Sequence, residues 1–288
     1  MTAPLSASQV NLVRECPRRY WFRYASAKDL RVEEPTPPGS GKAKALAAGI
    51  AIHAVVEKWL AQSEDLDLTS EYGLRARPAL AFLPHREACQ SELEVDVSAF
   101  GVRLKQYMDL WAPDAHDVPH LGALETAIPP GTPAVLDLKT TKNPKRKYRG
   151  KKPGLSTPED FLSDPQALTY ALAAFKLVPA ATHVFLRWVY VATAGAPYAE
   201  PRDALVSKLE VAEGLRDHVL PWVGVIPTIR RKTSHLQLPA RASMCEKYKS
   251  NSPDPAKRAA APGCGYMSLC TDVTARDRAF AALDGFED

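Results

Sequence analysis

The sequence predicts an α/β fold, a mixed central sheet flanked by helices, and three observations carry that expectation. The segment GVRLKQYMDLW alternates apolar and polar residues, the period of a strand with one buried face. VLDLKTT is a short apolar run, and HVFLRWVYV has the β-branched and aromatic content of a buried strand. Around these runs, GIAIHAVVEKWLAQ carries apolar residues at helical spacing and DPQALTYALAAFKL reads as a second helix. Strand and helix periods interleaved along one chain give a layered α/β core.

Taken in order, a short helix is expected at about 6 to 24, then the Pro/Gly linker EEPTPPGSGK, then a helix at about 43 to 62. Ile52, Val55, Val56, Trp59 and Leu60 supply the apolar spacing of that second helix, with His53 in the first turn of its GIAIHAVVEKWLAQ segment. Strands follow near 91 to 98, 101 to 111 and 132 to 139. The Pro-, Asp- and His-rich stretch from Pro113 to Pro133 reads as a surface connection. Asp164 is suited to cap a helix from Pro165 to Leu177, with proline at its first position. Gln166 and Tyr170, four apart, share one face of that helix. HVFLRWVYV is the next strand, and a helix is expected near 203 to 220. No internal repeat is apparent.

A chain of 288 residues can bury roughly three quarters of its unfolded surface, which favours one elaborated domain over 1–288. Its core is expected at about 43–222, with 1–42 and 223–288 forming a cysteine-containing subregion. The chain is 45% hydrophobic and 24% charged, and no apolar run is long enough to span a bilayer. No signal peptide is visible, so a cytoplasmic protein is expected. The formal charge of +4 says less than its distribution. Lys142, Lys145, Arg146, Lys147, Arg149, Lys151 and Lys152 crowd the stretch after VLDLKTT, where they can meet a phosphate backbone. Arg230, Arg231 and Lys232 form a second basic stretch.

Side chains two apart on a strand point to the same face, so Asp137 and Lys139 project together, a metal-binding carboxylate beside a fixed cation. Alone, such a triplet is weak. Asp109, near the end of GVRLKQYMDLW, brings a second carboxylate on a neighbouring strand. Phosphodiester hydrolysis needs an activated water, relief of charge on the phosphoryl oxygens and help for the leaving alkoxide, all of which divalent metals supply. Hard oxygen ligands suit Mg²⁺ or Mn²⁺. Glu92 and Glu94 are further carboxylates within reach of the same region.

The order of these pieces resembles the RecB-like branch of the PD-(D/E)XK nuclease superfamily, which includes AddB-type and CRISPR-adaptation iron-sulfur nucleases. Its four elements are a G-x-x-x-H helix, a strand ending in Asp, a D-x-K strand and a Q-x-x-x-Y helix. They correspond here to Gly49 and His53, QYMD ending at Asp109, Asp137 to Lys139, and Gln166 with Tyr170. The opening SASQVNLVRECPRRYWFRYA is also similar to the family's start. One departure is Gln106, where a glycine usually precedes the first Asp. The resemblance implies a restriction-endonuclease-like core in which Asp109, Asp137, the Leu138 backbone carbonyl and neutral His53 hold the metal. Lys139 then orients the attacking water and offsets transition-state charge, and Gln166 and Tyr170 support the catalytic centre. It further implies a DNA exonuclease acting on single strands or ends, working with recombination, phage-replication or CRISPR-adaptation proteins. The reading from another class is a non-catalytic DNA-binding subunit that keeps the fold.

Five cysteines in a reducing compartment more often bind metal than form disulfides. Cys16 near the start, with Cys245, Cys264 and Cys270 near the end, resembles the family's [4Fe-4S] ligand set. The departure is Cys245, with eighteen intervening residues before Cys264 where two are usual; structural zinc and free thiols are the alternatives. Cys89 has no place in that set and is expected to be a buried free thiol.

Overall fold

Five strands lie side by side in chain order: β1 (Gln90–Ala99), β2 (Val102–Ala112), β3 (Ala134–Thr141), β4 (His183–Ala192) and β5 (Ala199–Ser207). This computed structural model describes residues 4–25, 41–62, 65–99, 101–145, 154–155, 157–232 and 238. β1 and β2 pair antiparallel along almost their whole length, as do β4 and β5. Between β3 and β4 the pairing is parallel, which demands a crossover. That crossover contains α5 (Pro158–Ser163) and α6 (Pro165–Leu177). The sheet is therefore mixed, as the sequence predicts.

The pairing between β2 and β3 covers only Leu110–Ala112 against Ala134–Leu136. Past Leu136 the β3 backbone has no β2 ladder partner, and the residues just beyond are Asp137, Leu138 and Lys139. A backbone amide leaving a ladder needs another acceptor. The Asp109 side chain provides one, its Oδ2 accepting from Leu138 N at 3.0 Å.

Even-numbered β3 residues Leu136 and Leu138 join a core with Leu110, Phe185 and Val189 from neighbouring strands. Ile52 and Val56 of α3 (Gly41–Gln62) and Ala76 and Ala79 of α4 (Glu71–Leu80) belong to the same core. Odd-numbered Asp137 and Lys139 alternate to the opposite face and meet α6. There Phe161 packs edge-on against Trp188 at 4.9 Å between ring centroids. Asp164 caps α6 as expected, accepting from the amides of Gln166 and Ala167.

Three expected elements differ. The helix expected near 203 to 220 begins as strand β5, because Arg202, Ala204 and Val206 bury on alternate residues. The helix α7 (Lys208–Gly214) starts only at the Ser207/Glu210 capping box, and after a π turn the chain continues as α8 (Leu220–Arg230). The single helix expected at 6 to 24 is broken into α1 (Ala7–Glu15), α2 (Pro17–Tyr20) and a π turn at Trp21–Ala25; Pro17 has no amide hydrogen with which to continue the first ladder. The stretch Pro113–Pro133 is more than a surface connection, since Ala115, Val118, Leu121 and Ile128 are buried. Fully buried Arg187 donates to the carbonyls of Pro119 and His120 within it, to the Phe82 carbonyl and to the Asp203 carboxylate.

The chain divides into two compact units, one of Met1–Val10 with Pro38–Val223 and the other of Asn11–Pro37 with Gly224–Asp288. The first holds the sheet. Within the second, Arg230 Nε donates to the Tyr20 hydroxyl at 2.9 Å, Trp21 Nε1 to the Lys232 carbonyl at 2.9 Å, and Arg18 Nε to the Leu238 carbonyl at 2.8 Å. No helix among the described residues is long and apolar enough to cross a membrane.

Candidate active site

Where β2 and β3 part, the side chains of His53, Asp109, Asp137, Lys139, Gln166 and Tyr170 come together. Asp137 is 2% exposed, and Lys139 Nζ lies 2.6 Å from its Oδ2. Gln166 joins the pair: its Oε1 accepts from Lys139 Nζ at 2.9 Å, and its Nε2 donates to Asp137 Oδ1 at 2.8 Å and to the Tyr170 hydroxyl at 2.9 Å. The Tyr170 hydroxyl in turn donates to the Tyr107 carbonyl on β2 at 2.6 Å. The Q-x-x-x-Y face of α6 thus ties β3 to β2 at the point where their ladder ends.

His53 enters from α3, with Nδ1 3.9 Å from Asp109 Oδ2. Its approach depends on Gly49, one turn earlier, where a Cβ would stand 2.7 Å from Thr140 Oγ1. A glycine there lets the helix close on β3 next to the D-x-K element. His53, Glu57, Glu92, Asp109 and Leu138 line one cleft.

The electrostatics suit a cation. Burial pushes the Asp137 carboxyl up; Lys139 opposes this and Asp109 adds to it. Burial likewise raises Asp109, against the Leu138 amide and Lys139, with Glu92 and Glu57 adding to the rise. Burial works to lower Lys139, but Asp137, Asp109 and Asp164 outweigh it and hold the ammonium above its ordinary value. Burial lowers His53, so its imidazole is neutral and able to act as a ligand. Tyr170 is raised by burial and by both Asp charges, which keeps its hydroxyl a proton donor.

A divalent cation fits the donor set. Two carboxylates and a neutral imidazole face one region, and the buried Asp137 Oδ2 has the Lys139 ammonium as its neighbour. Among the described residues no three His, Cys, Asp or Glu side chains already converge as a ligand group. Asp109 is engaged with the Leu138 amide and Asp137 with Lys139. The Leu138 position expected to offer its carbonyl thus also takes part through its N–H.

Glu92 and Glu94 separate clearly. Glu92 lines the cleft with φ +52, in the left-handed region that a non-glycine residue adopts at a cost. Glu94 instead pairs with Lys105 at 2.7 Å. Glu57 was missed in the sequence; its signal was the four-residue step from His53 along α3. Lys142 and Lys145 are exposed, Lys145 Nζ lying 3.9 Å from the Tyr198 ring centroid. Arg146, Lys147, Arg149, Lys151 and Lys152 lie outside the described residues, as do Cys245, Cys264 and Cys270. Cys16 is buried and forms no disulfide with the other described cysteine, Cys89, which is half-buried rather than fully buried.

Residues 4–126 match the family profile of the PD-(D/E)XK nuclease superfamily. That superfamily match contains Gly49, His53 and Asp109, while the D-x-K and Q-x-x-x-Y residues lie beyond it. Among solved structures, a candidate exonuclease from Eubacterium rectale is similar at TM-score 0.46 and 14% identity, over 88% of this chain and 90% of that one. The protein SSO0001 is similar at TM-score 0.36 and 13% identity, over 77% of each chain. No curated protein gives a significant sequence match.

Proposed function

We propose that this chain is a divalent-metal-dependent deoxyribonuclease of the RecB-like branch, acting as an exonuclease on single strands or DNA ends. The observation that supports this best is the Gln166 carboxamide bonded to both Asp137 and Lys139, beside Asp109. A surface D-x-K pair has no use for such a brace. The superfamily match over residues 4–126 supports the same reading.

Asp109, Asp137 and His53 would hold the cation, which when bound supplies Lewis acidity and a lowered water pKa. Lys139 presents a fixed positive charge at the point where negative charge develops on the phosphoryl oxygens. Gln166 fixes that ammonium, and Tyr170 fixes Gln166 against the β2 backbone, so the charge is oriented before substrate arrives. Glu57 and Glu92 add negative potential at the cleft and favour cation entry. The exposed Lys142 and Lys145, with the basic residues that follow in sequence, would meet the DNA backbone.

Cys16, Cys245, Cys264 and Cys270 carry a separate sequence-based reading, a structural [4Fe-4S] cluster. Brown anaerobically purified protein with absorbance near about 400 nm would support it, and colourless, iron-free protein would remove it.

The test of function is digestion of end-labelled single-stranded and double-stranded linear DNA with Mn²⁺, Mg²⁺ or EDTA. Metal-dependent shortening is expected, and the label lost first reports polarity. Binding without cutting under every condition would replace the enzyme with a DNA-binding subunit.

A further inference from the structure

Tyr107 is 51% exposed, and among the described residues it is the one exposed tyrosine, tryptophan or phenylalanine. The residues on either side of it on β2, Gln106 and Met108, are buried. Tyr107 alternates to the other face of the strand, the face of Asp109 two residues further along. The rise of an antiparallel strand places Tyr107 and Asp109 about 6.8 Å apart along β2, the scale of a single nucleotide.

A lone exposed aromatic is ordinary on a protein surface; this one is set apart by how it is held. The Tyr107 carbonyl accepts from the Tyr170 hydroxyl at 2.6 Å, and Tyr170 accepts from Gln166, whose carboxamide holds Asp137 and Lys139. One chain of hydrogen bonds therefore fixes the backbone under the ring relative to the D-x-K pair. The side chain is restrained as well. Glu94 is the ladder partner of Tyr107 on β1, and it holds the Lys105 ammonium at 2.7 Å. That ammonium lies 5.3 Å from the Tyr107 ring centroid, a distance at which a cation is attracted to the π face. The Tyr107 hydroxyl lies beside the same two charges. The ring is thus placed before any ligand arrives, which lowers the ordering cost of binding to it.

We infer that Tyr107 is a specificity-determining residue that stacks one unpaired base next to the scissile phosphate, so that the site selects single-stranded DNA. The inference rests on the nuclease reading above. An aromatic face accepts any base, which makes the contact tolerant of sequence. Bases inside a duplex are already stacked on one another and must leave the stack to offer a face. A base seated on Tyr107 leaves its own phosphate within a nucleotide's reach of Asp109.

The experiment compares wild type with Tyr107→Ala, Tyr107→Leu and Tyr107→Phe. Anisotropy in EDTA measures Kd for three fluorescein-labelled ligands of equal length: a single strand, an abasic strand with the same phosphate spacing, and a blunt duplex. Tyr107→Ala should weaken binding of the single strand on the order of tenfold and leave the abasic strand and the duplex within about twofold of wild type. The slope of log Kd against log salt should not change, because stacking releases no counterions. In Mn²⁺, KM for cleavage of the single strand should rise by the same factor. Tyr107→Phe keeps the ring and should bind as wild type does. Tyr107→Leu keeps apolar bulk without a π face, so it carries the test if Tyr107→Ala does not fold, and it should lose most of the same affinity. Equal single-strand Kd and KM in wild type and the folded Ala or Leu variant would overturn the inference. Equal losses on the single and abasic strands would overturn it too, since the ring would then act without a base. Wild type that neither binds nor cuts DNA would overturn the nuclease reading and the inference together, whereas active wild type with binding independent of Tyr107 overturns the inference alone.

Discussion

Gln166 receives the Lys139 ammonium on its carboxamide oxygen, at 2.9 Å. Only this amide orientation suits the Lys139 ammonium, which can only donate, and it leaves the amide nitrogen to donate to Asp137 Oδ1. The carboxamide thereby reads the polarity of the D-x-K pair and fixes the two side chains relative to each other.

Removing it should cost rate. A hydrogen bond to a charged group contributes about 1.5–3 kcal/mol, so Gln166→Ala is expected to lower the single-turnover cleavage rate roughly 10- to 100-fold. Mn²⁺ affinity, followed by titration calorimetry, should change less. A rate within twofold of wild type would mean that Lys139 is held by other contacts.

Gly49 tests the helix that brings His53. In Gly49→Val the first added carbon meets Thr140 Oγ1 at 2.7 Å, and α3 must move away from β3. Overpacking of this kind costs about 1–3 kcal/mol, readable in urea unfolding, and cleavage should fall further than stability alone explains. Wild-type stability and activity together would show that the close approach is not required.

Asp203 balances the buried Arg187, whose Nη2 it receives at 2.7 Å. Asp203→Asn leaves that guanidinium buried without its counter-charge, a change that costs about 3–5 kcal/mol in comparable sites. The urea midpoint should drop accordingly. Because this pair also organises the Pro113–Pro133 stretch, an unchanged midpoint would place the rigidity of that stretch elsewhere.

Cys89 supplies a pH prediction. Burial pushes its thiol from 9.0 up to about 11, so less thiolate is present at any pH below that. At about pH 8 the thiolate fraction falls about a hundredfold relative to an ordinary thiol, and alkylation should slow by a similar factor. Peptide mapping of iodoacetamide labelling in native and urea-unfolded protein checks this. Equal rates in the two states would contradict the burial.

Much of this arrangement was legible in the sequence because it rests on short, local patterns. The two-residue step from Asp137 to Lys139 and the four-residue steps from Gly49 to His53 and Gln166 to Tyr170 each follow from one element's period. Asp164 and Pro165 marked the start of α6 by capping chemistry alone. Tertiary relationships were less readable. The stretch from 203 on reads as helix because DALVSKLEV carries both periods, and pairing with β4 decides for strand up to Ser207. α4 went unseen because Pro78 inside it reads as a breaker. Nothing local in the sequence marks Arg187, since the carbonyls it holds are remote in sequence.

The most direct test is the single-turnover cleavage rate of an end-labelled single strand in Mn²⁺, for wild type and Asp137→Asn purified side by side. Asp137→Asn keeps the shape of the side chain and removes the charge that faces Lys139. Metal-dependent cleavage by wild type, reduced in the variant by at least about a thousandfold, is the expected result. Equal rates in both proteins would show that Asp137 is not at the centre of the chemistry and would contradict the account.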